Sequence, residues 1–183
     1  MVAVDAVGGL GFSLSPVQAD TSVPADRASA PVGGVYEFSD AASALAQEIA
    51  RGIAAHGGGA LIVDYGYSAP GFGETLQAVA NHAAANLLDA PGDADISASV
   101  DFSALANAAQ AEGTSAYGPL GQGAFLTALG IRERAERLKA VNRSAPPSSI
   151  DVDVNRLIAP DEMGELFKVL AILPSDAPKP PGF

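Results

Sequence analysis

Ala60-Leu61-Ile62-Val63 is an unbroken apolar run, approached through Gly57-Gly58-Gly59 and stopped by Asp64-Tyr65-Gly66. A short run without polar alternation predicts a strand buried on both faces, as strands of parallel sheets are. The residues before it read as a helix. Leu45, Ile49 and Ile53 recur every four positions with Ala42, Ala46 and Ala50 beside them, giving one apolar stripe. Ser39 is placed to cap that helix, Asp40 puts a carboxylate in its first turn, and Gly57 can end it. His56 in the last turn is accounted for by the same dipole. Helix, glycine turn and buried strand make half of a βαβ unit, so the expected class is α/β. In open α/β sheets the ligand crevice lies beyond the carboxyl ends of the strands, which is where Asp64, Tyr65 and Gly66 stand. An ionised Asp64 is there either because a backbone or cationic partner holds it, or because it faces the crevice.

Upstream, Val2 and Val4, then Leu10, Phe12 and Leu14 around Gly8-Gly9, read as a β-hairpin over residues 1–15. Residues 16–34, rich in Pro, Ala, Ser, Asp and Gly, read as a flexible surface loop, and Val35 to Phe38 as a short extended segment. Residues 75–88 admit two readings: alanine content favours a helix, while Thr75 to Val79 can extend as a strand. His82 lies inside, and a lone histidine is more often packed or solvated than catalytic. Ile96, Ala98, Val100 and Phe102 alternate with Asp95, Ser97, Ser99 and Asp101, which predicts a half-buried strand. Asp101 or Ser103 can cap the helix that follows, with Leu105 and Ala109 inward and Gly113 as its stop. Tyr117-Gly118-Pro119 reads as a turn, and Gln122 to Leu129 as a short helix ended by Gly130.

Ile131 to Arg143 holds five of the ten basic residues, with Glu133 and Glu136 at helical spacing from Arg137 and Lys139. It reads as a solvated helix laced by ion pairs. Pro146-Pro147-Ser148 interrupts, Leu166 to Leu173 is a second strongly apolar strand, and residues 175–183 are expected to fray as a tail.

With 183 residues, 48% of them hydrophobic, the chain has the material for one ordinary domain with a real core. A formal charge of -11 repels phosphate backbones and anionic bilayers, so nucleic acid is not an expected partner. No cysteine is present, and His56 and His82 lack a second ligand at metal-binding spacing, so no metal site is expected. No apolar run reaches the ~18 residues of a spanning helix, and the N-terminus lacks the features of a signal peptide. A cytoplasmic protein is the expectation. P-loop, GxSxG and GxGxxG patterns are all missing, so the residues alone lead to an α/β ligand site and stop there.

Five blocks in order carry a resemblance. GGGALIVDYGY, TLQAVANH, APGDADISASVDFSAL, GQGAFLTALGI and NRLIAPDEMGELFKVLAIL together resemble the carboxyl-terminal half of the MidA-type methyltransferases. The resemblance runs from Met1 to about Leu173. It implies a portion of a Rossmann-like class I methyltransferase sheet with an added helical region, over residues 35–174. It also implies S-adenosylmethionine as methyl donor and a protein substrate. The family includes a mitochondrial enzyme that dimethylates an arginine on a respiratory complex I subunit during assembly, so arginine methylation is the implied chemistry. In this family the glycine-rich donor loop lies upstream of where Met1 falls. The implied picture is therefore a fragment whose main donor site is elsewhere, inactive alone and open to complementation by an N-terminal half.

By match to the family blocks, the residues carried over are Asp64, Tyr65 and Gly66, then His82, Asp95, Asp101 and Gln122. Ser97 stands where a threonine is commoner. A guanidinium has a pKa above about 12 and must be oriented by carboxylates before it can attack a sulfonium methyl. Asp64 and Asp101 are the implied acids for that work, with His82 as a further catalytic group. Tyr65, Gly66, Asp95 and Gln122 are the implied substrate-binding set. A different reading is a non-catalytic remnant that acts as a protein-binding or assembly module through the open side of an incomplete sheet.

Overall fold

The chain orders into fifteen short elements in the computed structural model, which describes residues 2–13, 30–89, 91–141 and 146–183. They begin with strands β1 (Val2–Val4) and β2 (Leu10–Phe12), helix α1 (Asp40–His56) and strand β3 (Ala60–Tyr67). Strands β4 (Gln77–Ala80), β5 (Ala83–Ala85), β6 (Asp95–Ser97) and β7 (Val100–Asp101) come next, then α2 (Phe102–Ala111) and β8 (Thr114–Gly121). Helices α3 (Gln122–Ala128), α4 (Ile131–Val141), α5 (Pro147–Ile158) and α6 (Met163–Leu166) precede the last strand, β9 (Phe167–Pro174). Where one domain is expected, these form two units. One is Ser39–Pro70 with Ser99–Phe183, and the smaller is Met1–Phe38 with Gly71–Ala98.

In the larger unit the strand order is β7-β3-β9-β8. Helix α1 starts where the sequence places it, with the Ser39 hydroxyl accepting from Ala42 N–H at 3.2 Å, and ends at Gly57 (φ 76). Its alanine stripe and α2 cover one sheet face, where Phe102, Leu170, Ile172, Ala50 and Ala109 are fully buried. Strand β3 departs from expectation in two ways. Its long partner, β9, is antiparallel, from Ala60 opposite Ile172 to Tyr65 opposite Phe167; the parallel partner β7 joins only at Gly66 and Tyr67. Only one of its faces is covered: Ala60 and Ile62 pack on the core, while Leu61 and Val63 remain 56% and 45% exposed. The cause is the pleat, which sends alternate side chains to opposite faces. Helices α3 and α6 lie against β9, where Val169 and Ala171 are buried, but leave Leu61 and Val63 open.

Tyr117-Gly118-Pro119, expected as a turn, lies inside β8, whose pairing with β9 shifts register between Tyr117 and Leu120. A bulge absorbs the two turn-forming residues without ending the strand. The Pro146-Pro147 break is the start of α5, with proline in the first helical turn, where its missing N–H costs nothing. Residues 175–183 do not fray: Phe183 packs on Tyr117 and Phe125 with ring centroids 6.5 and 5.1 Å apart, and Tyr117 Oη donates to the Ala177 carbonyl at 3.3 Å.

In the smaller unit β1 and β2 form the antiparallel hairpin read from the sequence. Asp5 Oδ1 braces its turn by accepting from Val7 and Gly9 N–H at 2.9 and 2.8 Å. Most of the loop read at 16–34 lies outside the described residues, and Val35–Phe38 carries no ladder. Residues 75–88 resolve as a hairpin within the sheet β5-β4-β6, with Asn81 and His82 both left-handed at φ 53 and 63. Two successive positive φ values are what a two-residue hairpin turn requires, and they exclude a helix through this stretch. The strand expected over Asp95 to Phe102 splits: β6 belongs to the smaller unit, β7 to the larger, and Phe102 enters α2 because its ring is core.

Gly66 is fixed by contact. A Cβ there would come within 2.4 Å of the Val100 carbonyl oxygen and 2.6 Å of the Phe102 ring. Gly66→Ala is expected to destabilise the larger unit by about 1–3 kcal/mol, read as a lowered urea midpoint. A second prediction concerns Lys139, whose ammonium donates to Asp151 at 2.8 Å and sits 2.6 Å from Glu136, linking α4 to α5. The hydrogen bond from Asp151, then that from Glu136, raises its pKa above the usual 10.5. A raised folded-state pKa means the stabilisation is complete below pH 10.5 and disappears as pH climbs through the folded value. The gap in melting temperature between the native chain and Lys139→Met should therefore close between pH 8 and strongly alkaline solution.

Candidate functional site

Five of the seven candidate residues belong to the larger unit. Asp64, expected just past the end of a strand, lies inside β3, which runs on to Tyr67; it is exposed, its Oδ1 accepting the N–H of Tyr65 at 2.8 Å. Its ladder partner is Lys168, but that ammonium turns to Glu165, donating to the backbone oxygen at 2.6 Å and to Oε2 at 3.0 Å. Among the described residues no cation pairs with Asp64; of its two readings, the backbone partner is the one observed, in the N–H of Tyr65. Tyr65 projects to the uncovered sheet face, 39% exposed, its ring 4.2 Å from that of Phe167. Gly66 has a sufficient packing reason in the contact with Val100 and Phe102.

Asp101 ends β7 one strand away, opposite Tyr67 in a parallel register. Three residues separate Tyr67 from Asp64, roughly 10 Å of strand, so the two carboxylates lie along one rim without pairing. Asp101 caps α2: its Oδ1 accepts from Ala104 N–H at 3.0 Å and from Ser103 Oγ at 2.5 Å. Of the two candidate caps Asp101 is the one used, and Ser103, already inside α2, donates to its carboxylate. Gln122 is buried at the start of α3, and its amide donates to the Leu157 carbonyl at 2.9 Å, tying α3 to α5.

His82 and Asp95 belong to the smaller unit, both exposed. His82 is the second residue of the β4–β5 turn and borders a cleft of about 420 Å³ with Asn86, Leu76 and Leu87. Asp95 opens β6 opposite Val79. One organising residue went unread in the sequence. The Glu37 carboxylate receives Thr75 N–H at 2.8 Å, Leu76 N–H at 3.1 Å and the Thr75 hydroxyl, fixing the entry to β4. Its partners lie 38 and 39 residues away, a separation at which no local pattern signals a contact. No group of three or more His, Asp and Glu that could hold a metal occurs among the described residues.

A helix layer on one face of a mixed sheet, with a helical insertion before the last strand, defines a Rossmann-like α/β fold of the class I methyltransferase type. Residues 1–120 match the profile of the family described as "Putative S-adenosyl-L-methionine-dependent methyltransferase", and the chain belongs to that family. The curated protein arginine methyltransferase NDUFAF7, mitochondrial, of Danio rerio is 36% identical over 132 residues, covering 72% of this chain and 31% of its own length. The Rattus norvegicus protein of the same name is 38% identical over 137 residues, covering 73% of this chain and 30% of its own. The chain thus spans less than a third of the length of these relatives.

Two solved structures from Burkholderia thailandensis align with the whole chain. An uncharacterised COG1565 superfamily protein does so at TM-score 0.77 and 27% identity, over 50% of its own length. A COG1565 superfamily member and likely methyl transferase bound to S-adenosyl-homocysteine does so at TM-score 0.73 and 25% identity, over 48% of its length. The expectation of a cytoplasmic protein is corrected by these comparisons, because the curated arginine methyltransferase relatives are mitochondrial. The cytoplasmic expectation rested on missing signals alone. No helix among the described residues is long and apolar enough to cross a membrane.

The double use of Asp101 yields a separable prediction. Asp101→Ala should cost about 1 kcal/mol through loss of the α2 cap, whereas Asp101→Asn, which keeps an acceptor oxygen, should retain most of that stability in urea titration.

Proposed function

We propose that this chain forms the acceptor-side, sheet-completing portion of an S-adenosylmethionine-dependent protein methyltransferase acting on arginine, in the setting of respiratory complex I assembly. The observation that carries the reading is the Asp64 carboxylate, exposed in the carboxyl-terminal half of β3 with no cation on it among the described residues. Bound donor supplies an electrophilic methyl group on a sulfonium. The pleat sends Asp64 and Tyr65 to opposite faces of β3, so the carboxylate alone is the group that suits a cation, and the Tyr65 ring packs on Phe167 across the sheet from it. In this role Asp64 orients the acceptor guanidinium by charge-assisted hydrogen bonds, and Asp101 adds negative potential along the same rim. Tyr65, Gly66 and Gln122 are the substrate-binding candidates of the larger unit, and within the smaller unit His82 is a proton-accepting candidate and Asp95 a substrate-binding one.

The same reading gives β3 a second partner. From Ala60 to Tyr65 its outer edge has no ladder partner among the described residues, since β7 joins only at Gly66 and Tyr67. A further strand there, with helices over Leu61 and Val63, would supply the donor-binding portion and complete the sheet. The open edge and face equally favour the second reading, a non-catalytic module that docks a partner protein. The fit of the whole chain to about half of an S-adenosyl-homocysteine-bound structure weighs against treating it as blind to the donor, so calorimetry on the isolated chain comes first. No heat of binding with adenosylmethionine, and micromolar binding once the donor-side half of a relative is co-expressed, is the expected pair of results. Binding by the chain alone ends the complementation idea. Unchanged methyl transfer by Asp64→Asn in the assembled enzyme removes the role of Asp64.

A further inference from the structure

Helices α4 and α5 face one another with complementary stripes that do not close. Ile131, Ala135 and Leu138 on α4 repeat at i, i+4 and i+7, and so do Ile150, Val154 and Leu157 on α5. Between them, against the end of α3, lies an aliphatic cleft of about 480 Å³. One region of the helix pair is clamped by Lys139 on Asp151 and Glu136. The lips are charged, and oppositely. Arg134 borders the cleft from α4 and Asp153 from α5, with no ion pair joining them. Arg134, Arg137 and Glu133 line the adjoining shoulder beside Leu129 and Val141. Neither Arg134 nor Arg137 makes an ion pair among the described residues, although the chain carries 21 acidic side chains. Leu138 and Leu129 are 38% and 49% exposed at the opening.

We propose that this cleft is the docking groove for one amphipathic helix of a partner protein. Its aliphatic stripe seats between α4 and α5, an acidic flank meets Arg134 and Arg137, and a basic flank meets Asp153. Two helices lined at i, i+4 and i+7 and closed at one end by α3 are the geometry that a further helix completes as a bundle. Lips of opposite sign set the direction in which it lies. They also disfavour an anionic alkyl chain, whose head would meet Asp153 and Glu133 as well as the guanidinium groups. The site is separate from the strand ends considered above, and its failure would leave the methyltransferase reading untouched.

The test uses the full chain and a fluorescently labelled helical peptide of about five turns, with leucines at i, i+4, i+7 and i+11, glutamates on one flank and lysines on the other. Saturable anisotropy is expected, weakened at least about tenfold by Arg134→Glu and regained when that variant meets the peptide with its flanking charges exchanged. Leu138→Gln should also weaken binding, while the urea midpoints of both variants show that the fold persists. No saturable binding, or equal binding by Arg134→Glu, overturns the proposal. So does displacement of the peptide by decanoate, which would assign the cleft to alkyl carboxylates. Concentration-dependent dimerisation in sedimentation, abolished by Leu138→Gln, would overturn it in favour of a second copy of this chain.

Discussion

Ile62 stands opposite Leu170 and Ala60 opposite Ile172 in the ladder between β3 and β9, and the rest of the larger unit follows from that register. It aligns four apolar side chains on one face, where Phe102 and the alanines of α1 and α2 close over them. Each large side chain so buried contributes about 1.5–3 kcal/mol. A slip by one residue would turn Ile62 and Leu170 outward and present Leu61 and Val63 to the helices. The same register sets Asp64 beyond the core and opposite Lys168, and Gly66 where the Phe102 ring and the Val100 carbonyl leave no room for a Cβ. Stability and the placement of the candidate carboxylate are thus consequences of one ladder.

What the sequence disclosed was short-range. Ser39 with Asp40 marked the start of α1, Gly57 its end, Ala60–Val63 a strand, Gly130 the stop after α3, and Leu166–Leu173 the last strand. In each case cap or stop chemistry sits within a few residues of the periodic run it bounds. What it concealed was long-range. The strand-buried-twice reading of Ala60–Val63 failed because composition records what a strand tolerates, not which layers are present to cover it. Alanine in Thr75–Leu88 could not choose between helix and strand; the choice fell to Asn81 and His82, whose left-handed backbone is not visible in side-chain pattern. Pro146-Pro147 was read as an interruption although Ile150, Val154 and Leu157 repeat helically after it. Among the site residues, Asp64 read as a strand end because the apolar run stops at Val63, but β3 continues through Tyr67, where its pairing with β7 is formed. The capping duty of Asp101 was legible, but the Gln122 bond to Leu157 and the Glu37 bonds to Thr75 and Leu76 were not.

The uncovered face of β3 is where sequence and structure disagree most usefully. Leu61 and Val63 have the character of interior residues, yet both meet solvent, beside a backbone edge that has no ladder partner among the described residues. Exposed strand edges and apolar faces are selected against in isolated domains because they recruit other chains. The helical insertion answers half of that demand, since α3 and α6 lie on β9 where Val169 and Ala171 are buried. Over β3 the demand stands. A strand and helices supplied from elsewhere would satisfy edge and face together, and no rearrangement of the β3–β9 ladder would be needed.

Charge distribution bears on the chemistry as well as on partners. Eight of the 21 acidic residues but only one of the ten basic residues fall within Met1–Phe38 and Gly71–Ala98, so the smaller unit holds more than its share of the negative field. Such a field raises the local concentration of cations and lowers that of phosphates. In methyl transfer from a sulfonium to a guanidinium both reactants are cationic, and bringing them together in water is opposed by their repulsion. A rim of fixed carboxylates offsets that repulsion before the displacement begins, which is the form of assistance a reaction without a covalent enzyme intermediate can use. Asp64 suits this work because its charge is not already consumed by a neighbour: Lys168, directly across the ladder, is held away by Glu165. The ion pair between Lys168 and Glu165 thereby keeps the Asp64 carboxylate available, and a cation released from Glu165 would lie beside it and quench it.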